Sequence, residues 1–119
     1  MKDHLSYYHR INQVPTVDLN DNKKKLLLNQ RFAFYLTLKI SENDFHKKTV
    51  LELCPGSGYN AYYLLEKCKI KNIDLVDYSD DSIRKLKKNL SRFKNCKIKK
   101  EKIQNYNTEK VYDFVILEN

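Results

Sequence analysis

The chain has 119 residues, 41% hydrophobic and 32% charged, with a net charge of +8. That length supports one domain with a real core, and no apolar run approaches the roughly eighteen residues of a membrane span. Cys54, Cys68 and Cys96 are odd in number and widely spaced, which argues against a disulfide framework and zinc knuckles and suits a reducing cytoplasm.

The basic excess comes almost wholly from lysine. It reads as compositional bias and a solvated surface ahead of a patch for nucleic acid or another polyanion. The N-terminal MKDHLSYYHRINQ has no signal-peptide core. Residues 1–20 show no clear period and read as an irregular arm. Tyr7, Tyr8 and Arg10 there either pin a loose terminus or contact a substrate. His4, His9 and His46 share no ligand spacing and read as surface residues.

From about Asp21 to Ile40 the spacing predicts a helix, with Asp21 as N-cap. Its inner face is expected along Leu27, Gln30, Phe34 and Leu38, broadened by Leu28, Phe32 and Tyr35. SENDFHKK reads as a loop. Thr49–Leu53 is a short apolar run before a turn and predicts a buried strand. Tyr59–Lys69, with Tyr62, Leu65 and Cys68 in line, predicts a helix, and Asn72–Asp77 a second strand ending on an acid.

SDDSIRKLKKNLSRFKN is the strongest helix pattern. Ser79 is its N-cap, Asp80 and Asp81 favour its first turn, and Ile83, Leu86, Leu90 and Phe93 form the stripe. Arg84, Lys85, Lys87, Lys88, Arg92 and Lys94 fall mainly off that stripe, as a solvated face. Cys96–Lys100 predicts a third strand and Tyr112–Leu117 a fourth.

Strands alternating with helices imply an α/β fold: a doubly wound, Rossmann-like parallel sheet of about four strands, incomplete in its helical cover. The arm and first helix occupy 1–48 and the sheet region 49–119. The fourth strand is expected as an uncovered edge, to be covered by another chain or by a missing C-terminal half, and a fragment is the favoured reading.

The chain's only two glycines, Gly56 and Gly58, sit in one loop between the first strand and its helix. Ligands of open parallel sheets bind at the carboxyl ends of strands. There the glycines would let a ligand approach the backbone, helped by the amides opening the helix. Asp77, nineteen residues after Gly58, is placed to accept ribose hydroxyls. Tyr78 follows it, able to pack on adenine. Gly56-x-Gly58-x-x-Ala61 is a legal dinucleotide fingerprint, which keeps an NAD(P)-dependent oxidoreductase open. Glu52 argues otherwise: its carboxylate would repel a pyrophosphate and favour a cationic ligand.

VLELCPGSG resembles the first motif of class I S-adenosylmethionine-dependent methyltransferases, an acid followed by alternating glycines, with Glu52, Gly56 and Gly58 matching. LVDYS is similar to the second motif, which implies Asp77 as the ribose-binding acid. The resemblance covers about 48–119. It implies S-adenosylmethionine as cofactor, held by Glu52, Cys54, Gly56, Ser57, Gly58, Asp77 and Tyr78, with Glu101 near adenine, and methyl transfer to an unidentified acceptor. Cys54 stands where the family has its first glycine, and reads as a small buried residue ahead of a nucleophile. Asn119 is the sole candidate on the acceptor side, and no catalytic base can be named. A non-enzymatic basic module binding RNA or an acidic partner is the other reading.

Overall fold

The computed structural model describes residues 21–117. The arm residues Tyr7, Tyr8 and Arg10, the histidines His4 and His9, and Asn119 lie outside the described residues. Helix α1 spans Asp21–Thr37 and α2 Glu42–Phe45. Strand β1 (Thr49–Leu53) leads to α3 (Tyr59–Glu66), β2 (Asn72–Asp77) to α4 (Asp80–Asn89), and β3 (Cys96–Lys100) to a 3-10 turn at Ile103–Asn105 and then β4 (Phe114–Leu117).

All four strands are parallel, in the order β3-β2-β1-β4. The chain steps outward from β1 to β3, then returns to pair β4 on the free side of β1. Chain direction therefore switches between β1 and β4, and the carboxyl end of β1 opens onto that crevice. This is the Rossmann-like sheet expected from the alternating pattern.

Register sorts the sheet residues by face, because partners in neighbouring strands point the same way. Val50 sits opposite Ile73 and Phe114, and Ile73 opposite Cys96. That face joins one apolar cluster with Leu27 and Tyr35 of α1, Phe45 of α2, Ala61 to Leu65 of α3, and Leu86 and Leu90. The other face carries Leu51 and Val76, both buried, and Val115 and Leu117, which are 62% and 56% exposed. Both ends of the order are edges. β3 bears Lys97, Lys99 and Lys100, charges that discourage pairing with another sheet. β4 alternates half-buried and exposed residues along its length.

Three expectations change. The inner face of α1 is Leu27, Leu28, Arg31 and Tyr35, whereas Phe32, Phe34 and Leu38 are exposed. SENDFHKK is not all loop: Ser41 and Asp44 form a capping box over α2, which drives Phe45 into the core at 1% exposure. The α4 helix ends at Asn89, short of Asn95, and the chain then turns to place Phe93 edge-on against Tyr62 at 5.9 Å.

With so few glycines, left-handed backbone falls to other residues. Lys39, Lys47 and Lys69, each just after a helix, have φ of 59°, 59° and 54°. Glycine is the usual residue there.

Candidate functional site

The loop from Cys54 to Gly58 leaves β1 and enters α3 by a tight turn, with the Gly58 amide donating to the Pro55 carbonyl at 3.1 Å. Gly56 and Gly58 both have positive φ, 63° and 90°. Asp77 closes β2 beside it. Its Oδ2 accepts the Gly56 amide at 3.3 Å and its Oδ1 the Ser79 amide at 3.0 Å. The carboxylate is 5% exposed, and burial pushes its pKa up, against the lowering pull of those backbone amides. Ser79 caps α4 by accepting the Ser82 amide, as expected.

Glu52, in the middle of β1, is 1% exposed. Its Oε2 accepts from the Asn60 side chain at 3.2 Å. The Asn60 Oδ1 in turn accepts from Arg31 at 2.9 Å and from the Tyr35 hydroxyl. The carboxylate of the first motif is thus held by α3 and α1 together. Asn60, Arg31 and Tyr35 were not foreseen. The available signal was a polar residue in the first turn of an apolar helix, directly after the glycine loop.

The remaining candidates separate into those near this cluster and those turned elsewhere. Ser57 is 2% exposed, its carbonyl accepts Asn89 Nδ2 at 3.0 Å, and its Oγ has no hydrogen-bond partner among the described residues. Gly58 is packed from behind: an added Cβ would lie 2.9 Å from Leu86 Cδ2 and 3.0 Å from Leu90 Cδ1. Its lack of a side chain therefore serves the fit of α4 against the loop. Tyr78 is 44% exposed, with Lys102 Nζ 5.1 Å and Lys100 Nζ 5.9 Å from its ring centre. The Glu101 amide donates to the Asp77 carbonyl at 2.9 Å, but its carboxylate pairs with Lys99 at 3.1 Å.

Cys54 is exposed, a correction to its expected burial, and has a φ of 56°. Its amide donates to the Val76 carbonyl at 2.8 Å, which pins the left-handed turn. A side chain there costs about 1–2 kcal/mol, and glycine would return about 0.5–1 kcal/mol of that through its freer unfolded chain. Cys54→Gly is therefore expected to raise the melting temperature by roughly 2–4 °C. A lower melting temperature by calorimetry would show that the turn is not strained.

A cavity of about 380 Å³ opens at the opposite, amino end of the strands, lined by Asp74, Lys94, Lys97, Lys110 and Tyr112 among others. Chain geometry favours the carboxyl end. No group of side chains suited to a metal ion occurs among the described residues, and no helix among them is long and apolar enough to cross a membrane.

The arrangement offers a buried acid, two left-handed glycines and a second acid at the end of the neighbouring strand. That set suits a ribose and a positively charged group. The family model for a methyltransferase domain matches residues 50–119. Among solved structures, the chain is similar to a candidate RNA methyltransferase from Pyrococcus horikoshii, at 24% identity and a TM-score of 0.58, over 88% of this chain and 47% of that one. A candidate methyltransferase from Thermoplasma acidophilum gives 26% identity and 0.55, over 60% and 33%. An N-methyltransferase from Bradyrhizobium japonicum in complex with S-adenosylhomocysteine gives 14% and 0.56, over 82% and 45%. The chain spans between a third and a half of the length of these three proteins. No curated protein matches the sequence.

Proposed function

We propose, from the premise that this chain belongs to the class I S-adenosylmethionine-dependent methyltransferase family, that it binds S-adenosylmethionine and takes part in methyl transfer to an acceptor nucleophile. The observation that carries this reading is the clasp of Asp77 on the Gly56 amide, with buried Glu52 on the adjoining strand. Asp77 would accept the ribose hydroxyls, and Glu52 would set a negative field at the sulfonium and amino end. The orphaned Ser57 hydroxyl is a polar atom that a ligand at the loop would satisfy. Tyr78 offers a partly exposed ring for adenine, with Glu101 in reach through its backbone beside Asp77.

The bound cofactor would supply an electrophilic methyl group on a sulfonium sulfur. The protein's own part is then binding, aiming and excluding water, since in-line displacement draws mostly on proximity and orientation. A reducing, cytoplasmic setting fits three cysteines that are not joined in disulfides.

Titration calorimetry with S-adenosylmethionine and S-adenosylhomocysteine tests the reading, alongside NADH as the competing nucleotide. Heat with the first two and none with NADH is expected. Binding of NADH alone would favour the oxidoreductase reading. A response to RNA that falls steeply with salt and ignores Asp77 substitution would favour the basic-module reading.

A further inference from the structure

We propose that Asn60 is a positioning residue that ties the aim of the Glu52 carboxylate to the docking of α1, so that α1 is a working part of the cofactor site. This rests on the functional reading above. Asn60 is 3% exposed in the first turn of α3, with Glu52 on one side and α1 on the other.

The orientation of its amide follows from its neighbours. Arg31 and the Tyr35 hydroxyl, four residues apart on α1, both approach one end of the amide, at Oδ1. Arginine can only donate, so that end must be the carbonyl oxygen. The amino group then faces Glu52 Oε2, 3.2 Å away. Flipping the amide would set donor against donor at Arg31 and acceptor against acceptor at Glu52. The arrangement is single-valued.

The charges need this relay. A buried carboxylate is costly unless it is hydrogen-bonded or offset by a cation. The Asn60 amide links Arg31 to Glu52 through two hydrogen bonds, and linked bonds in a low-dielectric interior strengthen one another. Tyr35 anchors the α1 end: its ring stacks on Tyr63 at 5.6 Å and meets Phe45 edge-on at 5.1 Å. Arg31 is steadied over the Phe34 ring at 4.5 Å. Both residues lie outside the segment that matches the family model, residues 50–119. Ligand binding beside Glu52 and seating of α1 are therefore linked, and the linkage is reciprocal.

The test uses the whole chain and two ligands. S-adenosylhomocysteine has the amino-acid arm that Glu52 would face; 5′-methylthioadenosine keeps the adenosine and the thioether but lacks that arm. In Asn60→Ala the affinity for S-adenosylhomocysteine should fall about tenfold or more while that for methylthioadenosine holds, because only the charge-assisted end is disturbed. Equal losses for both ligands would mean general loosening and overturn the proposal. Tyr35→Phe keeps the ring packing and removes one bond, so it should give a smaller loss with the same selectivity. A ligand-free cycle guards against a parent that binds neither compound. Tyr35→Phe and Glu52→Gln, whose side chains bond opposite ends of the Asn60 amide, should shift the denaturation midpoint non-additively. Additive shifts would overturn the relay even where the functional reading has failed on its own terms.

Discussion

Replacing Asp77 with alanine is expected to lower the affinity for S-adenosylhomocysteine by roughly 10–150-fold, the equivalent of about 1.5–3 kcal/mol for hydrogen bonds to a charged group. The side chain has two duties. It would accept from the ligand's ribose, and it already holds the Gly56 and Ser79 amides, so alanine leaves the loop and the start of α4 without their shared acceptor. Asparagine is not a mild substitute. Both protein partners are donors, and an amide would present its own amino group to one of them. The pH profile separates ligand binding from folding. Ribose hydroxyls donate to the ionised carboxylate, so affinity is full above the Asp77 pKa and is lost as pH falls through it. Burial has raised that pKa, so the loss sets in at higher pH than for an aspartate in water. Ligand-free stability runs the other way. Between the unfolded pKa and the raised folded one, the native state holds the proton more tightly, and this group's contribution grows as pH falls. The differences between the parent and Asp77→Ala in calorimetry and in chemical denaturation should slope in opposite directions across that window. Unchanged affinity in the variant, or a flat binding profile in the parent, would refute the assignment.

Why some of this was legible beforehand and some was not has a physical explanation. The strands announce themselves because a parallel strand buried on both faces is a short apolar run with no alternation, and Val50, Leu51, Ile73, Leu75 and Val76 supply that. Asp77 is legible because a charge at the end of such a run has few structural reasons to be there. The face of α1 was not. Leu26, Phe32, Phe34 and Leu36 ring that helix with apolar residues, all exposed, so hydrophobicity carries little direction. What orients it is polar: Arg31 and Tyr35 turn inward to reach Asn60. A rule that seeks greasy stripes is blind to a half-buried arginine. The capping box at Ser41 and Asp44 was readable as a motif but was outweighed by the polar composition around it. At Cys54 the sequence shows only an absent glycine; the structure adds that the backbone keeps glycine's conformation all the same.

The second large effect falls on the glycine packed against α4. Gly58→Val is expected to destabilise the ligand-free protein by about 2–5 kcal/mol, from about 1–2 for a side chain in left-handed backbone and about 1–3 for overpacking. Two observations set the scale. Gly58 has a φ of 90° where it begins α3, and its carbonyl accepts the Tyr62 amide at 2.8 Å, so the backbone cannot relax without losing the first turn. Any Cβ there meets Leu86 Cδ2 at 2.9 Å and Leu90 Cδ1 at 3.0 Å, and those leucines are 0% and 2% exposed, so both must repack inside the core. Against a total stability of typically 5–15 kcal/mol, the substitution removes a large share, and a melting temperature lower by roughly 10 °C or more should follow. Gly58→Ala should show the same sign with a smaller drop, since only the Cβ itself intrudes. The result separates two reasons for a glycine in this loop. Left-handed backbone alone lowers the melting temperature of both variants, so the further drop from Gly58→Ala to Gly58→Val reports the packing against Leu86 and Leu90. A drop that grows from alanine to valine assigns Gly58 to the contact between α3 and α4 as well as to the left-handed turn.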